Sequence, residues 1–294
     1  MNELKLKAMA KINLGLDVLR KREDGYHELR MIMQSIYLYD QIELRRRKQP
    51  GIQVEVNLSY LPVGEDNLVY RAAKLLMDEF SIKEGVHIRL QKYIPVAAGL
   101  AGGSSDAAAV LVGMNRMFAL KLSQEELMKR GVKIGADVPY CIMRGTALAE
   151  GIGEKLTRLP NTPEMHVLLA KPPVHVSTPF VYGNLKVNEL EYHPDIDGQI
   201  QAIRDGDLYT MAEKMGNVLE TVTIPAYPVI QDIKDCMMQQ GAVNAMMSGS
   251  GPTVFGLFDD QQKAQKAYER MLESGLAKNV FLTRFFHIRE NSNQ

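Results

Sequence analysis

Apolar and polar residues alternate along KLKAMAKINLGLDVL, residues 5–19, with Ile12, Leu14 and Leu16 on one side of an extended chain and Lys11, Asn13 and Gly15 on the other. The pattern predicts a strand. QIELRRR (41–47) and IQVEVNL (52–58) predict two more, paired with each other around the Pro50–Gly51 turn. The period then changes. NLVYRAAKLLMDEF (67–80) places Leu68, Ala72, Leu75 and Leu76 on one face of a helix. VHIRLQKYIP (86–95) returns to strand, and IPVAAGLAGGSSDAAAV (94–110) passes from a glycine- and serine-rich loop into a helix running from about Ser104 to Phe118. SQEE, Ser123 to Glu126, is a capping box that opens the next helix.

Composition shifts after the glycine-rich GTALAEGIGEKL (145–156), and LPNTPEM places a domain boundary near Pro160, giving domains 1–160 and 161–294. Beyond it MHVLLAKP reads as a strand. STPFVYGNL begins a helix with Ser177 or Thr178 as cap and Pro179 in the first turn. Two helices follow between Asp195 and Glu220. AYPVIQDIKDCMMQQ and QQKAQKAYERMLES are helical, while NAMMSGSG, TVFGLF and NVFLTRFFHI are strand-like. With MHVLLA the order is β-α-β-β-α-β, the split pattern of a ferredoxin-like layer, in a chain of α+β class.

Lys plus Arg equals Asp plus Glu, 35 against 35, so the charge balance asks for neither nucleic acid nor an anionic membrane. The basic run ELRRRKQ (43–49) reads more simply as a solvated strand end than as a nucleic-acid patch. Cys141 and Cys236 form no CxxC pair and read as reduced structural thiols. With no signal-peptide pattern and no stretch near the roughly 20 apolar residues of a membrane span, the expected location is the cytoplasm.

A helix start leaves backbone N–H groups without partners and carries partial positive charge, and glycines before it let an anion approach closely. Gly99, Gly102 and Gly103, with the hydroxyls of Ser104 and Ser105, thus compose a candidate phosphate cradle. A plain surface loop capped by Ser104 is the alternative. The spacing is neither a Walker A nor a dinucleotide GxGxxG fingerprint.

PVAAGLAGGSSDAAA, residues 95–109, resembles the second motif of the GHMP kinases, and MMSGSGPTVFGLF (246–258) resembles their third. AKINLGLDVLRKREDGYHEL (10–29), GADVPYCI (135–142) and GTALAEGIGEK (145–155) are similar to the member acting on a cytidine diphosphate conjugate in the non-mevalonate isoprenoid pathway. Many GHMP kinases read GLGSSAA where this chain reads GLAGGSSDAA, placing Asp106 in the expected first helical turn, where it must point away from phosphates. The resemblance implies a two-domain α+β fold: an N-terminal ribosomal-protein-S5-like, ATP-binding domain and a C-terminal ferredoxin-like, substrate-binding domain. It implies ATP-dependent phosphorylation of a small-molecule alcohol. Mg²⁺ should arrive on the ATP, since it favours phosphates and waters and the sequence shows no ligand-spaced cluster.

The resemblance also assigns residues. Asp137, which by itself could be a turn or cap aspartate before Pro139, becomes the base, and Lys11 its partner at the reacting oxygen. Pro95, Val96, Ala97, Ala98, Gly99, Leu100, Ala101, Gly102, Gly103, Ser104 and Ser105 would hold ATP, with Asn67 and Lys92 on the adenine side. Asn13, Tyr26, His27, Thr178, Tyr182, Gly249 and Ser250 would hold the cytidyl substrate, although Tyr182 could equally be a core aromatic. The rivals are a homoserine- or mevalonate-type kinase, against which the DGYH aromatic–imidazole pair argues, and a non-catalytic nucleotide-binding protein, against which the retained Lys11 and Asp137 argue.

Overall fold

Strand β1 spans Glu3–Lys21, and every residue from Ala8 to Val18 is buried, although the alternation predicts one polar face. The reason lies at Gly15: a Cβ there would stand 2.6 Å from the Gln199 and Ile196 side chains, so a helix covers the polar side of this stretch. Gln199 Nε2 donates to Leu14 O and Met211 O, fixing that cover to the strand's backbone.

The computed structural model describes residues 1–288. After β1 come β2 (His27–Arg47), β3 (Ile52–Val56), α1 (Leu68–Glu79), β4 (Gly85–Gln91), α2 (Gly102–Met117), α3 (Gln124–Gly131) and α4 (Val138–Met143). They are followed by β5 (Thr146–Gly151), β6 (Lys155–Arg158), β7 (His166–Lys171), α5 (Thr178–Asn184), α6 (Ile196–Asp205), α7 (Leu208–Glu213) and β8 (Gly216–Asn217). The chain closes with α8 (Glu220–Ala226), α9 (Val229–Gln239), β9 (Asn244–Met247), β10 (Val254–Phe258), α10 (Gln261–Ser274) and β11 (Asn279–Arg284). These form two compact units, each discontinuous in sequence. The first comprises Met1–Ala10, Leu38–Val96 and Ala101–Arg144; the second comprises Lys11–Tyr37, Ala97–Leu100 and the chain from Gly145 onward.

In the first unit β3 pairs parallel with β4, and β4 antiparallel with β2. The hairpin expected between residues 41–47 and 52–58 does not form: α1 is a crossover that returns β4 between them, as parallel neighbours require. Helix α1 buries Val69, Ala72, Ala73 and Leu76, a face rotated from the expected one, which leaves Leu68 and Leu75 at its margins. Helix α2 lies close on the sheet because Gly113 has no Cβ; one would stand 2.4 Å from the end of Leu44. The Ser123–Glu126 capping box forms in full.

In the second unit the strand order β11-β7-β10-β9, with every neighbour antiparallel, is the ferredoxin-like layer read from the pattern. Helices α9 and α10 pack on it. GTALAEGIGEKL, which lacks an obvious period, is the β5–β6 hairpin, and β5 pairs with Leu29–Gln34 of β2.

Phe255 on β10 is fully buried. Phe255→Ala should destabilise the second unit by about 3–5 kcal/mol, the usual cost of a large core cavity. Chemical denaturation checks this; a loss below about 1 kcal/mol would contradict the packing described.

Candidate active site

The candidate site residues fall into two groups, one in each unit. In the first unit β4 ends at Gln91, and α2 begins eleven residues later at Gly102, two residues before the expected start. Asp106 therefore lies beyond the first turn. Ala101 stands at the N-cap position in the left-handed region (φ 54°, ψ 29°), and no side chain caps the helix. Ser105 N donates to Ala101 O, so the amides of Gly102, Gly103 and Ser104 precede the helical ladder. Ahead of it, in the stretch that belongs to the second unit, φ is also positive at Ala97 (51°) and Gly99 (75°). Alanine gains nothing intrinsically from that conformation, which costs it about 1–2 kcal/mol. Strain of this kind gathers at functional sites.

The expected nucleotide-side residues are placed as follows. Pro95 and Val96 lead into the loop, Val96 partly exposed. Asn67 is the N-cap of α1: its Oδ1 accepts from Val69 N (3.0 Å) and its Nδ2 donates to Pro62 O (2.7 Å). Ser105 Oγ donates to Met9 O (2.6 Å), into the fold. Lys92 is buried and donates to Asp40 and, at 2.7 Å, to Asp106. Asp106 thus turns its carboxylate toward Lys92. Asp137 stands at the N-cap position of α4, half-buried, yet its carboxylate caps nothing. The capping role that its position before Pro139 allowed is not taken up.

The second unit holds the other group. Lys11 and Asn13 are 5% and 0% exposed, and Lys11 Nζ donates to Asn13 Oδ1 at 2.6 Å. The turn from Ser248 to Gly251 lies against them. Gly249 is left-handed (φ 59°), and a Cβ on it would stand 3.6 Å from both Lys11 Nζ and Asn13 Oδ1. Ser248 Oγ donates to Gly99 O (3.0 Å). Gly99 must be glycine: besides its φ, a Cβ would meet Ser248 O at 2.2 Å. Thr178 and Ser250 share a hydroxyl–hydroxyl hydrogen bond of 2.8 Å. The His27 and Tyr182 rings are 5.1 Å apart and tilted by 35°, while Tyr26 is 60% exposed.

Three residues important to this arrangement carry no sequence signal. Asn217 donates to Met247 O (2.9 Å) and Gly249 O (2.8 Å) and accepts from Leu219 N, clamping the 248–251 turn. Asp40 holds Lys92 from the middle of a strand. Glu220 accepts from Met247 N at the same turn's entry and pairs with Lys234.

Residues 67–145 match the GHMP kinases N terminal domain, and residues 199–277 the GHMP kinases C terminal family. The chain is 56% identical to the 4-diphosphocytidyl-2-C-methyl-D-erythritol kinase of Lachnospira eligens, over 97% of this chain and 99% of that protein. The chain belongs to that kinase family. The relative from Lachnoclostridium phytofermentans is 55% identical, over 97% and 98% of the two chains. A crystal structure of a 4-(cytidine 5'-diphospho)-2C-methyl-D-erythritol kinase matches with a TM-score of 0.81 at 31% identity, covering 96% of this chain and 99% of that one. Homoserine kinase from Cytophaga hutchinsonii, at 19% identity and a TM-score of 0.74 over 97% and 94% of the chains, shares the fold.

Burial lowers the His27 pKa from the ordinary 6.5, and Lys21 lowers it further, so the imidazole is neutral at pH 7. A depressed histidine contributes stability above its unfolded value that is lost as pH falls through the folded one. NMR titration should therefore find the His27 midpoint below 6.5. A midpoint at or above that value would contradict the assignment.

Proposed function

We propose that the protein transfers the γ-phosphoryl group of ATP to the 2-hydroxyl of 4-diphosphocytidyl-2-C-methyl-D-erythritol, in the cytoplasm. The observation that supports this most is a helix start that no side chain caps, with a left-handed Ala101 before it, in a chain whose second unit sets an imidazole against a tyrosine ring. The first suits phosphate; the second suits a nucleobase. None of the 288 described residues belongs to a helix long and apolar enough to cross a membrane.

In this reading residues 95–105 receive the ATP phosphates on backbone amides, with Ser104 adding its hydroxyl. Asn67 and Lys92 lie on the adenine side, the Lys92 ammonium being engaged by Asp106 and its backbone by Asn57. Tyr26, His27 and Tyr182 take the cytosine, and Thr178 and Ser250 the rest of the cytidine. Asn13 and Gly249 take the diphosphate. The substrate oxygen attacks the γ-phosphorus as the bond to the β–γ bridging oxygen breaks, and ADP leaves. Asp137 accepts the hydroxyl proton, and Lys11 offsets the charge on the transferring group. Positioning and charge stabilisation supply most of the catalysis in such loose transition states. Amides and a serine hydroxyl suit phosphate oxygens, and Mg²⁺ carried on those phosphates would supply charge neutralisation.

ADP release with Mg·ATP should occur with the cytidyl substrate and not with mevalonate, homoserine or galactose. Turnover with one of those instead would overturn the substrate assignment. Asp137→Asn should lower kcat by about 100-fold, within the range for a general base. A loss under about fivefold would remove it from that role.

A further inference from the structure

The ammonium of Lys92 is the meeting point of two carboxylates, Asp40 from β2 and Asp106 from α2, and all three side chains are buried. The pairings fasten both ends of one loop. Asp40 Oδ1 accepts from Tyr93 N (2.5 Å) and Ile94 N (2.8 Å), where the loop leaves β4. Asp106 reaches back from the helix into which the loop runs. Directly above, Gly102 opens α2, and a Cβ on it would stand 3.1 Å from Lys92 Nζ. The cation therefore lies under the first amides of the helix.

One lysine against two carboxylates leaves an excess acid, and Asp106 Oδ1 is buried without a hydrogen-bond partner. Burial pushes the Asp106 carboxyl well above the usual carboxylate range; Lys92 pulls it down and Asp40 pushes it further up. Burial also acts to lower the lysine, yet Asp106 and Asp40 outweigh it and raise its pKa, so the cation is kept. Without that cation two buried acids would remain with no counter-charge beneath a helix start whose use is to attract anions.

We propose that Lys92 is a positioning residue for nucleotide binding: through Asp40 and Asp106 it ties the start of α2 to the end of β4 and offsets the acids buried under the phosphate-receiving amides. The inference rests on reading the α2 start as the ATP phosphate site.

Calorimetric titration of the full chain with Mg·ATP, and separately with CDP, tests it. Lys92→Met should weaken ATP binding at least tenfold and leave CDP binding within twofold. Adding Asp106→Asn to that variant should recover at least fivefold of the loss, because the stranded acid is removed. The proposal is overturned if Lys92→Met binds ATP like the wild type, if ATP and CDP affinities fall together, or if the double variant is no better than the single one. Should Lys92→Met fail to fold by circular dichroism, Lys92→Arg decides. It keeps the charge but cannot keep an ammonium beside Gly102, so ATP affinity must fall at least fivefold with CDP affinity unchanged; unaltered ATP binding sinks the idea. A folded wild type that binds CDP and not ATP would instead overturn the phosphate-site reading itself, and this inference with it.

Discussion

Backbone amides at the start of a helix must find a partner, and at α2 the chain supplies no side chain for the purpose. That constraint organises the first unit. Ala101 accepts a left-handed conformation instead of a capping one, Gly102 leaves space above Lys92, and the serine that follows the first turn is drawn into the fold by Met9. The result is a helix mouth that no side chain among the described residues caps. The arrangement is stable because the helix itself is deeply anchored, with Ala107 through Leu111 and Met114 all buried.

The second unit meets a different constraint, which is to keep a lysine and an asparagine buried without leaving their polar atoms unmet. Lys11 and Asn13 bond to each other, and the glycine turn 248–251 lines them, with Gly249 in the left-handed region. Asn217 holds that turn by two carbonyls. Any residue larger than glycine at 99 would collide with Ser248 O, so the loop and the turn are fitted to each other atom by atom. Polar groups so held are pre-organised, and phosphoryl transfer gains from pre-organisation more than from any single reactive group.

Elements with a strong single period were legible in the sequence. The ferredoxin-like layer and the Ser123 capping box follow from local pattern, and both form. What the pattern could not carry was pairing at a distance. The β2–β3 hairpin was the local solution, but β4 returns between the strands through a crossover helix whose destination no local signal specifies. The polar side of β1 looked solvated because its cover, Gln199 and Ile196, lies nearly two hundred residues away. Among the candidate residues, the glycine loop announces itself by spacing and Asp137 only through the family resemblance, whereas Asn217 and Asp40 sit in ordinary strands and matter only through what they meet in space. Asp106 and Lys92 were both named, Lys92 for the adenine side, but their pairing was not legible until the fold brings them together with Asp40.

The central claim is that the open amides of α2 are there to receive phosphate. Backbone amide NMR during titration with Mg·ATP tests it most directly, following Gly102, Gly103 and Ser104 against amides deep in the same helix, such as Leu111. The account predicts that the three amides shift downfield and become protected from exchange as ATP saturates, while Leu111 is unmoved. Saturation of the protein with ATP while those three amides neither shift nor gain protection would contradict it.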